Sequence, residues 1–241
     1  MTTKGRFYAV STGPGGEDML TLQAVRVLGA CPVICFPESG SRRVAYQAVS
    51  RALDLEQKNV LFLPVPMTAG REKAAAAYEQ GLEKLTPFLE QGDDVAFCAI
   101  GDVSLYSTAA HLARLLQERG FSVSFVAGVT SFTAAACACA SGIVSPDSPV
   151  SIVPADACYK AGRLPQAVRA PGAKVFMKCG HSLAPLIAEL EGAGLLGRCI
   201  LVQNASLPEE RRFRGEELLH LGADALEKSY LSVLIVTDWS F

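Results

Sequence analysis

The chain has 241 residues, half of them hydrophobic, with 22 Lys+Arg against 24 Asp+Glu and a net charge of -2. That length can bury one large core or two small ones, and the near-neutral balance without a long basic block argues against nucleic acid as the main partner. The longest apolar runs, such as residues 134–140, fall well short of the roughly 20 residues that span a bilayer, and residues 1–5 are short and polar, so neither a membrane span nor a secretory signal is expected.

In chain order, residues 7–10 read as a buried strand, followed by a turn and a helix over 18–28. Asp18 is placed to cap that helix and Gly29 to close it. Strands are then expected at 33–36, 60–63, 95–100 and 123–126, with helices over 43–53, 72–89 and 104–119 between them. Pro87 is expected to break or kink the third helix. This βαβα order predicts a mostly parallel sheet covered by helices, with ligands collecting at the carboxyl ends of its strands.

A second α/β unit is expected beyond the turn-rich segment 141–149, which reads as a linker between domains at 1–140 and 150–241. Strands are expected in it at 150–153, 174–178, 199–203 and 230–236, forming a mixed sheet, with a helix over 183–191. The charge-alternating stretch 209–217 reads as a solvated hairpin tip. The eight cysteines, Cys31, Cys35, Cys98, Cys137, Cys139, Cys158, Cys179 and Cys199, include no C-x-x-C pair. They mostly fall in predicted strands or Ala-rich helix, where they behave as small hydrophobes. His111, His181 and His220 are far apart, so no protein-bound metal is expected, and a reducing, cytoplasmic setting fits the free thiols.

Three glycine elbows would lie at one end of the first sheet. The first, Ser11-Thr12-Gly13-Pro14-Gly15, stands where a dinucleotide fold would carry G-x-G-x-x-G. It lacks the first glycine, and Pro14 removes a backbone N–H from the place where a phosphate cradle needs donors. The second, Gly101-Asp102-Val103-Ser104-Leu105-Tyr106-Ser107-Thr108, follows the fourth strand, and Asp102 or Ser104 is suited to cap the helix that follows. The third is Ala127-Gly128-Val129-Thr130-Ser131.

These segments, with Val65-Pro66-Met67-Thr68 and Met177-Lys178, resemble the tetrapyrrole methylases along the whole chain. Within that family they look like the branch that methylates carbon 20 of precorrin-2 or cobalt-factor II. Two positions depart from the wider superfamily, which usually has Gly at Ser11 and commonly Pro at Val103. The resemblance implies S-adenosylmethionine as methyl donor, held largely by backbone in a cleft between two α/β domains, and a homodimer. By motif position it makes Ile100, Gly101, Asp102, Val103, Tyr106, Thr130, Ser131 and Met177 cofactor residues, with Asn204 and Ala205 added from the second domain. Gly13 and Pro14 would border the tetrapyrrole, and Arg42, Arg43 and Lys178 would meet its rim carboxylates. Cobalt, where present, would arrive within the substrate. No residue is identified as the base that removes the carbon 20 proton, Tyr106 and Asp102 being the guesses. Two other readings stand beside this one: a nucleotide-dependent oxidoreductase with Glu38 as the ribose acid, and a non-catalytic tetrapyrrole carrier.

Overall fold

A computed structural model of the chain describes residues 3–38, 43–64, 71–227 and 230–239. Arg42 and the segment 65–68 lie outside the described residues. Contacts cluster into two compact units, Met1–Thr130 and Ser131–Phe241.

The first unit runs β1 (Arg6–Ser11), α1 (Leu22–Ala30), β2 (Val33–Pro37), α2 (Val44–Ala52), β3 (Asn59–Leu63), α3 (Arg71–Gln91), β4 (Val95–Ala99), α4 (Thr108–Glu118) and β5 (Ser122–Val126). Its strands form one sheet in the order β3-β2-β4-β1-β5, and every pair is parallel. Helices cover both faces, which is why the strands read as nearly continuous apolar runs. Phe7, Ala9, Val33, Val95 and Phe97 pack with Leu82, Leu85 and Leu89 of α3 and Leu112 and Leu116 of α4. Val10, Ile34, Phe36, Ala96 and Cys98 pack with Ala24 and Leu28 of α1 and Ala45 and Val49 of α2. Full burial of a Leu or Phe side chain is worth roughly 1.5–3 kcal/mol, so these two layers carry the unit.

Two local expectations give way to packing and capping. The first helix starts at Leu22, where Thr21 Oγ1 accepts from Ala24 N at 3.1 Å; Asp18 lies in a separate 3-10 turn, Glu17–Met19, and caps nothing. α3 continues past Pro87 to Gln91, with Leu82, Leu85 and Leu89 fully buried around the proline. Burial of that face outweighs the loss of one N–H.

The second unit contains α5 (Ser131–Ala138), β6 (Val150–Pro154), α6 (Ala155–Lys160), α7 (Leu164–Arg169), β7 (Ala173–Met177), α8 (Leu183–Gly192), β8 (Cys199–Gln203), β9 (Arg211–Arg214), α9 (Ala223–Glu227) and β10 (Ser232–Val236). Its sheet runs β6-β7-β10-β8-β9, with β6 and β7 parallel and the other pairs antiparallel. Phe176, Leu201 and Leu234 face Leu183, Leu186 and Leu190 of α8. Val175, Ile200, Val202, Val233 and Ile235 face Ala135 and Ala136 of α5, whose small side chains allow close approach.

The stretch read as a hairpin tip contains β9, an edge strand that pairs Phe213 with Leu201 and Arg211 with Gln203. Phe213 anchors it to the core, and the flanking arginines leave a charged edge that resists further strand pairing. The turn-rich segment 141–149 is fastened to the chain's last described residues. Thr237 Oγ1 lies 2.9 Å from Gly142 O and 3.0 Å from Ile143 O, and the Asp238 carboxylate accepts from Ser145 N and Oγ. Among the described residues, no helix is long and apolar enough to cross a membrane.

Candidate functional site

The order of the first sheet creates the setting for a ligand. β1 and β4 are neighbours, yet the chain leaves β1 towards β2 and leaves β4 towards β5, in opposite directions. Connections that diverge in this way open a crevice beyond the carboxyl ends of the two strands, where open α/β sheets bind ligands. The elbows after β1 and β4 meet there.

Gly13 and Gly101 exchange both of their backbone hydrogen bonds, Gly101 N donating to Gly13 O at 2.7 Å and Gly13 N to Gly101 O at 3.2 Å. Gly13 has φ +69, and a Cβ on it would stand 2.5 Å from Met19 Cβ, so this position requires glycine twice over. Thr12 N donates to Ala99 O at 3.0 Å. The N–H groups of residues 12 and 13 are thus committed within the protein, and Pro14 has none. Successive amides turned towards an anion, which a pyrophosphate cradle needs, are missing from residues 12–14.

The third elbow is tied to the other two by side chains. Asp102 accepts from Gly128 N at 2.7 Å through one carboxylate oxygen, and through the other from Ser104 N at 2.8 Å and from Ser104 Oγ. Ser11, completely buried, donates from Oγ to Val126 O at 2.6 Å and accepts from Val103 N at 3.0 Å. Burial pushes the Asp102 carboxyl up, but the lowering contacts, chiefly the hydrogen bonds from Ser104 and Gly128, together outweigh it and hold the group below the usual Asp range. The helix cap expected of Asp102 or Ser104 falls instead to Ser107, whose hydroxyl accepts from Ala109 N at 3.1 Å. Asp102 is free to brace the loop because the cap is made elsewhere.

Among the residues expected at the cofactor, Gly101 and Val103 are buried in this brace, while Ile100 and Tyr106 stand 37% and 42% exposed. Two large apolar side chains left open beside a buried loop offer a surface for an apolar ligand group. Tyr106 adopts φ +50, which turns the chain into α4. Thr130 ends the third elbow, half-buried. Gly13 and Pro14 are both buried, so they shape the floor beneath the strand ends.

Ile100 also lines a small open pocket with Phe36, Pro37, Arg43, Val44, Ala45 and Tyr46. Arg43, exposed and at φ +36, lays its guanidinium over the Phe62 ring, 4.1 Å from the centroid. Phe36 and Tyr46 meet edge to face at 5.3 Å beside it. Stacking uses the flat face of a guanidinium and leaves its N–H fork for a carboxylate.

In the second unit, β7 and β8 both pair antiparallel with β10, so their carboxyl ends lie at the same end of the sheet, Met177 and Val202 both opposite Val233. Met177, half-buried, packs with buried Ala205 and with Phe132, the residue after Ser131, against one apolar cluster. Asn204 follows β8 at φ +53 and donates from its backbone to Leu231 O at 2.9 Å. Lys178 follows Met177 at φ +56, and desolvation lowers its ammonium pKa. A carboxylate braces this strand end too: Asp156 Oδ1 accepts from His181 N and Ser182 N, each at 3.0 Å, and from Ser182 Oγ at 2.7 Å. Ser11 and Asp156 were missed as site-forming residues by sequence reasoning. Their partners are 115 and 26 residues away, and no local pattern announces such bonds. Among the described residues, no group of three or more His, Cys, Asp or Glu could hold a metal ion.

The fold has counterparts in known proteins. A solved uroporphyrin-III C-methyl transferase from Thermus thermophilus, complexed with S-adenyl homocysteine, matches with a TM-score of 0.69 and 23% identity, covering 97% of this chain and 98% of that one. The cobalt-precorrin-2 C(20)-methyltransferase of Salmonella typhimurium is 31% identical over 98% of both chains. The precorrin-2 C(20)-methyltransferase of a Sinorhizobium species is 25% identical over 98% of this chain and 96% of its own. The family model described as Tetrapyrrole (Corrin/Porphyrin) Methylases matches residues 6–218, an interval that takes in all three elbows and the ends of β7 and β8, and the chain belongs to that family.

Proposed function

We propose that this protein transfers a methyl group from S-adenosylmethionine to carbon 20 of a reduced tetrapyrrole in cobalamin biosynthesis, with cobalt-factor II as substrate in preference to metal-free precorrin-2. The observation that carries the reading is the chemistry of the elbows. Thr12 and Gly13 have their amides committed, Pro14 has no amide hydrogen, and Asp102 is held ionised beside the glycine loop. Such a loop repels a pyrophosphate and suits a ligand with a cationic centre and an apolar base. This counts against the oxidoreductase reading with Glu38.

When bound, S-adenosylmethionine supplies a methyl group already activated on a sulfonium. The protein's part is to hold two partners in line and exclude water. Orientation of reactants is worth roughly 7–11 kcal/mol, and loss of the sulfonium charge during transfer is favoured where water is kept out. In this proposal Ile100, Gly101, Asp102, Val103, Tyr106 and Thr130, with Ser131, Met177, Asn204 and Ala205, hold the donor. Gly13 and Pro14 set the floor, and Arg43 offers its fork to a rim carboxylate while Phe62 fixes its plane. Lys178 and Arg42 complete the basic set. Asp102, with both oxygens accepting hydrogen bonds and its pKa lowered, is a poor base for the carbon 20 proton.

The preference for cobalt-factor II is supported by the Salmonella relative, whose name carries cobalt and which is 31% identical, against 25% for the Sinorhizobium relative named for the metal-free substrate. A homodimer in the cytoplasm belongs to the same proposal, and light scattering on the purified protein checks its assembly. The main test supplies each tetrapyrrole with labelled S-adenosylmethionine. Label at carbon 20 of cobalt-factor II, faster than on precorrin-2, is expected; equal turnover would remove the metal preference. Calorimetric binding of NAD without binding of S-adenosylhomocysteine would remove the methyltransferase reading altogether.

A further inference from the structure

We infer that Ser11 is the positioning residue of this site: its hydroxyl sets the height of the loop at Val103 by pinning that loop to the end of β5. This rests on the proposed use of residues 100–106 as the methyl-donor loop.

The argument starts from topology. β1 lies between β4 and β5, so a short side chain on its last residue can reach the chain beyond the ends of both. Ser11 does so with a single oxygen, donating to Val126 O at 2.6 Å and accepting from Val103 N at 3.0 Å. The residue is 0% exposed, and Val103 and Val126 are each 1% exposed, so water cannot replace the hydroxyl when it is removed. The loop must move instead, because an unpaired buried N–H is relieved only by finding another acceptor.

A second observation shows that the backbone around this hydroxyl is shaped for it. A Cβ on Gly128 would stand 2.3 Å from Ser11 Cβ and 3.2 Å from Ser11 Oγ. Position 128 therefore gives its side-chain space to the serine, while its N–H is held by Asp102. Ser11, Asp102 and Gly128 close a ring of contacts in which each elbow is located by the other two. Asp102 alone would tie the second elbow to the third. Ser11 ties both, through one side chain, to the strand that carries the first.

The test is a small set of variants measured three ways. In Ser11→Ala, the dissociation constant of S-adenosylhomocysteine and the KM of S-adenosylmethionine should each rise about tenfold, the equivalent of about 1.4 kcal/mol. The KM of the tetrapyrrole should stay within about twofold, and kcat at saturating donor should largely recover, as expected for a lost positioning contact. Amide exchange at Val103 should lose protection in the free protein. A serine that served stability alone would lower the melting temperature and leave both KM values unchanged, and that result overturns the inference.

Should Ser11→Ala fail to fold, the pair Gly128→Ala and Ser11→Gly/Gly128→Ala keeps the question open to measurement. The single variant should be destabilised by the Cβ collision. The double variant should regain part of that stability, because the collision with Ser11 Cβ is gone and only a 3.2 Å approach to Gly101 O remains, yet keep weak donor binding, because the hydroxyl is gone. A double variant that binds S-adenosylhomocysteine as tightly as the parent overturns the inference. If the parent protein binds no S-adenosylhomocysteine, the proposed function fails. Val103 protection then decides the loop-setting role by itself, and unchanged protection in the Ser11 variants overturns it.

Discussion

Replacement of Asp102 by alanine removes the carboxylate that joins the second elbow to the third, and the structure allows its cost to be worked out bond by bond. The Gly128 N–H, half-buried and bonded at 2.7 Å, loses a charge-assisted partner, a change worth roughly 1.5–3 kcal/mol. Ser104 is exposed, so its N–H and hydroxyl turn to water at little cost. Against this, the variant no longer desolvates a charge. The balance is a loss of about 2 kcal/mol, and with about 2–4 °C of melting temperature per kcal/mol for a chain of this size the expected shift is about 4–8 °C. Differential scanning calorimetry measures the shift, and titration with S-adenosylhomocysteine should show binding weakened by at least about tenfold, the equivalent of about 1.4 kcal/mol. Asn should rescue in part, because its amide oxygen can accept from Gly128 N while its amide nitrogen faces the exposed Ser104, with only the charge assistance lost. A melting temperature within one degree of the parent, together with undiminished ligand affinity, would refute the reasoning.

Three further outcomes can be checked. The folded-state pKa of Asp102 is depressed, so its contribution is present above the unfolded value of about 3.9 and is lost as pH falls through the folded value; acid titration of Asp102→Asn should show a shallower loss of stability below about pH 4 than the parent. Gly13→Ala combines a positive φ with Cβ collision against Met19, and should cost at least about 1–3 kcal/mol in urea unfolding; an unchanged midpoint would contradict the elbow geometry. Native alkylation with iodoacetamide near pH 8 should label exposed Cys137 first, while Cys31, Cys179 and Cys199, with thiols pushed up to about 12 by burial, react only on unfolding. Rapid labelling of Cys179 in peptide maps would count against the core of the second unit.

The first unit was largely legible because its strands are buried on both faces and its helices carry a clean apolar stripe; residues 33–36 and 95–99 could hardly be anything else. Capping was harder. Asp102, Ser104 and Ser107 are all competent N-caps, and the choice among them turned on a contact between Asp102 and Gly128 that no local pattern encodes. Thr21 took the cap from Asp18 for a similar reason, a short 3-10 turn intervening. In the second unit, α6 and α7 have six residues each, less than two turns, and periodicity cannot register in so short a span. β9 was hidden by its own surface: an edge strand with three arginines looks like solvated loop until Phe213 is seen to be its anchor. Of the site, the glycine elbows and Asp102 could be named from motif, whereas Ser11 looked only like a departure from the wider superfamily.

The Ser11 bond to Val126 joins residues 115 apart in the chain, and its bond to Val103 joins residues 92 apart. A nascent chain therefore holds a finished β1 with no neighbour to pair with until β4 has been made, and with only one until nearly all of the first unit has been made. Loop-closure entropy must be met before such contacts return anything. The elbows are thus among the last parts to assemble, and substitutions within them should speed unfolding far more than they slow folding. A donor ligand added during refolding would then act as a latch on the completed unit, lengthening its lifetime without hastening its formation.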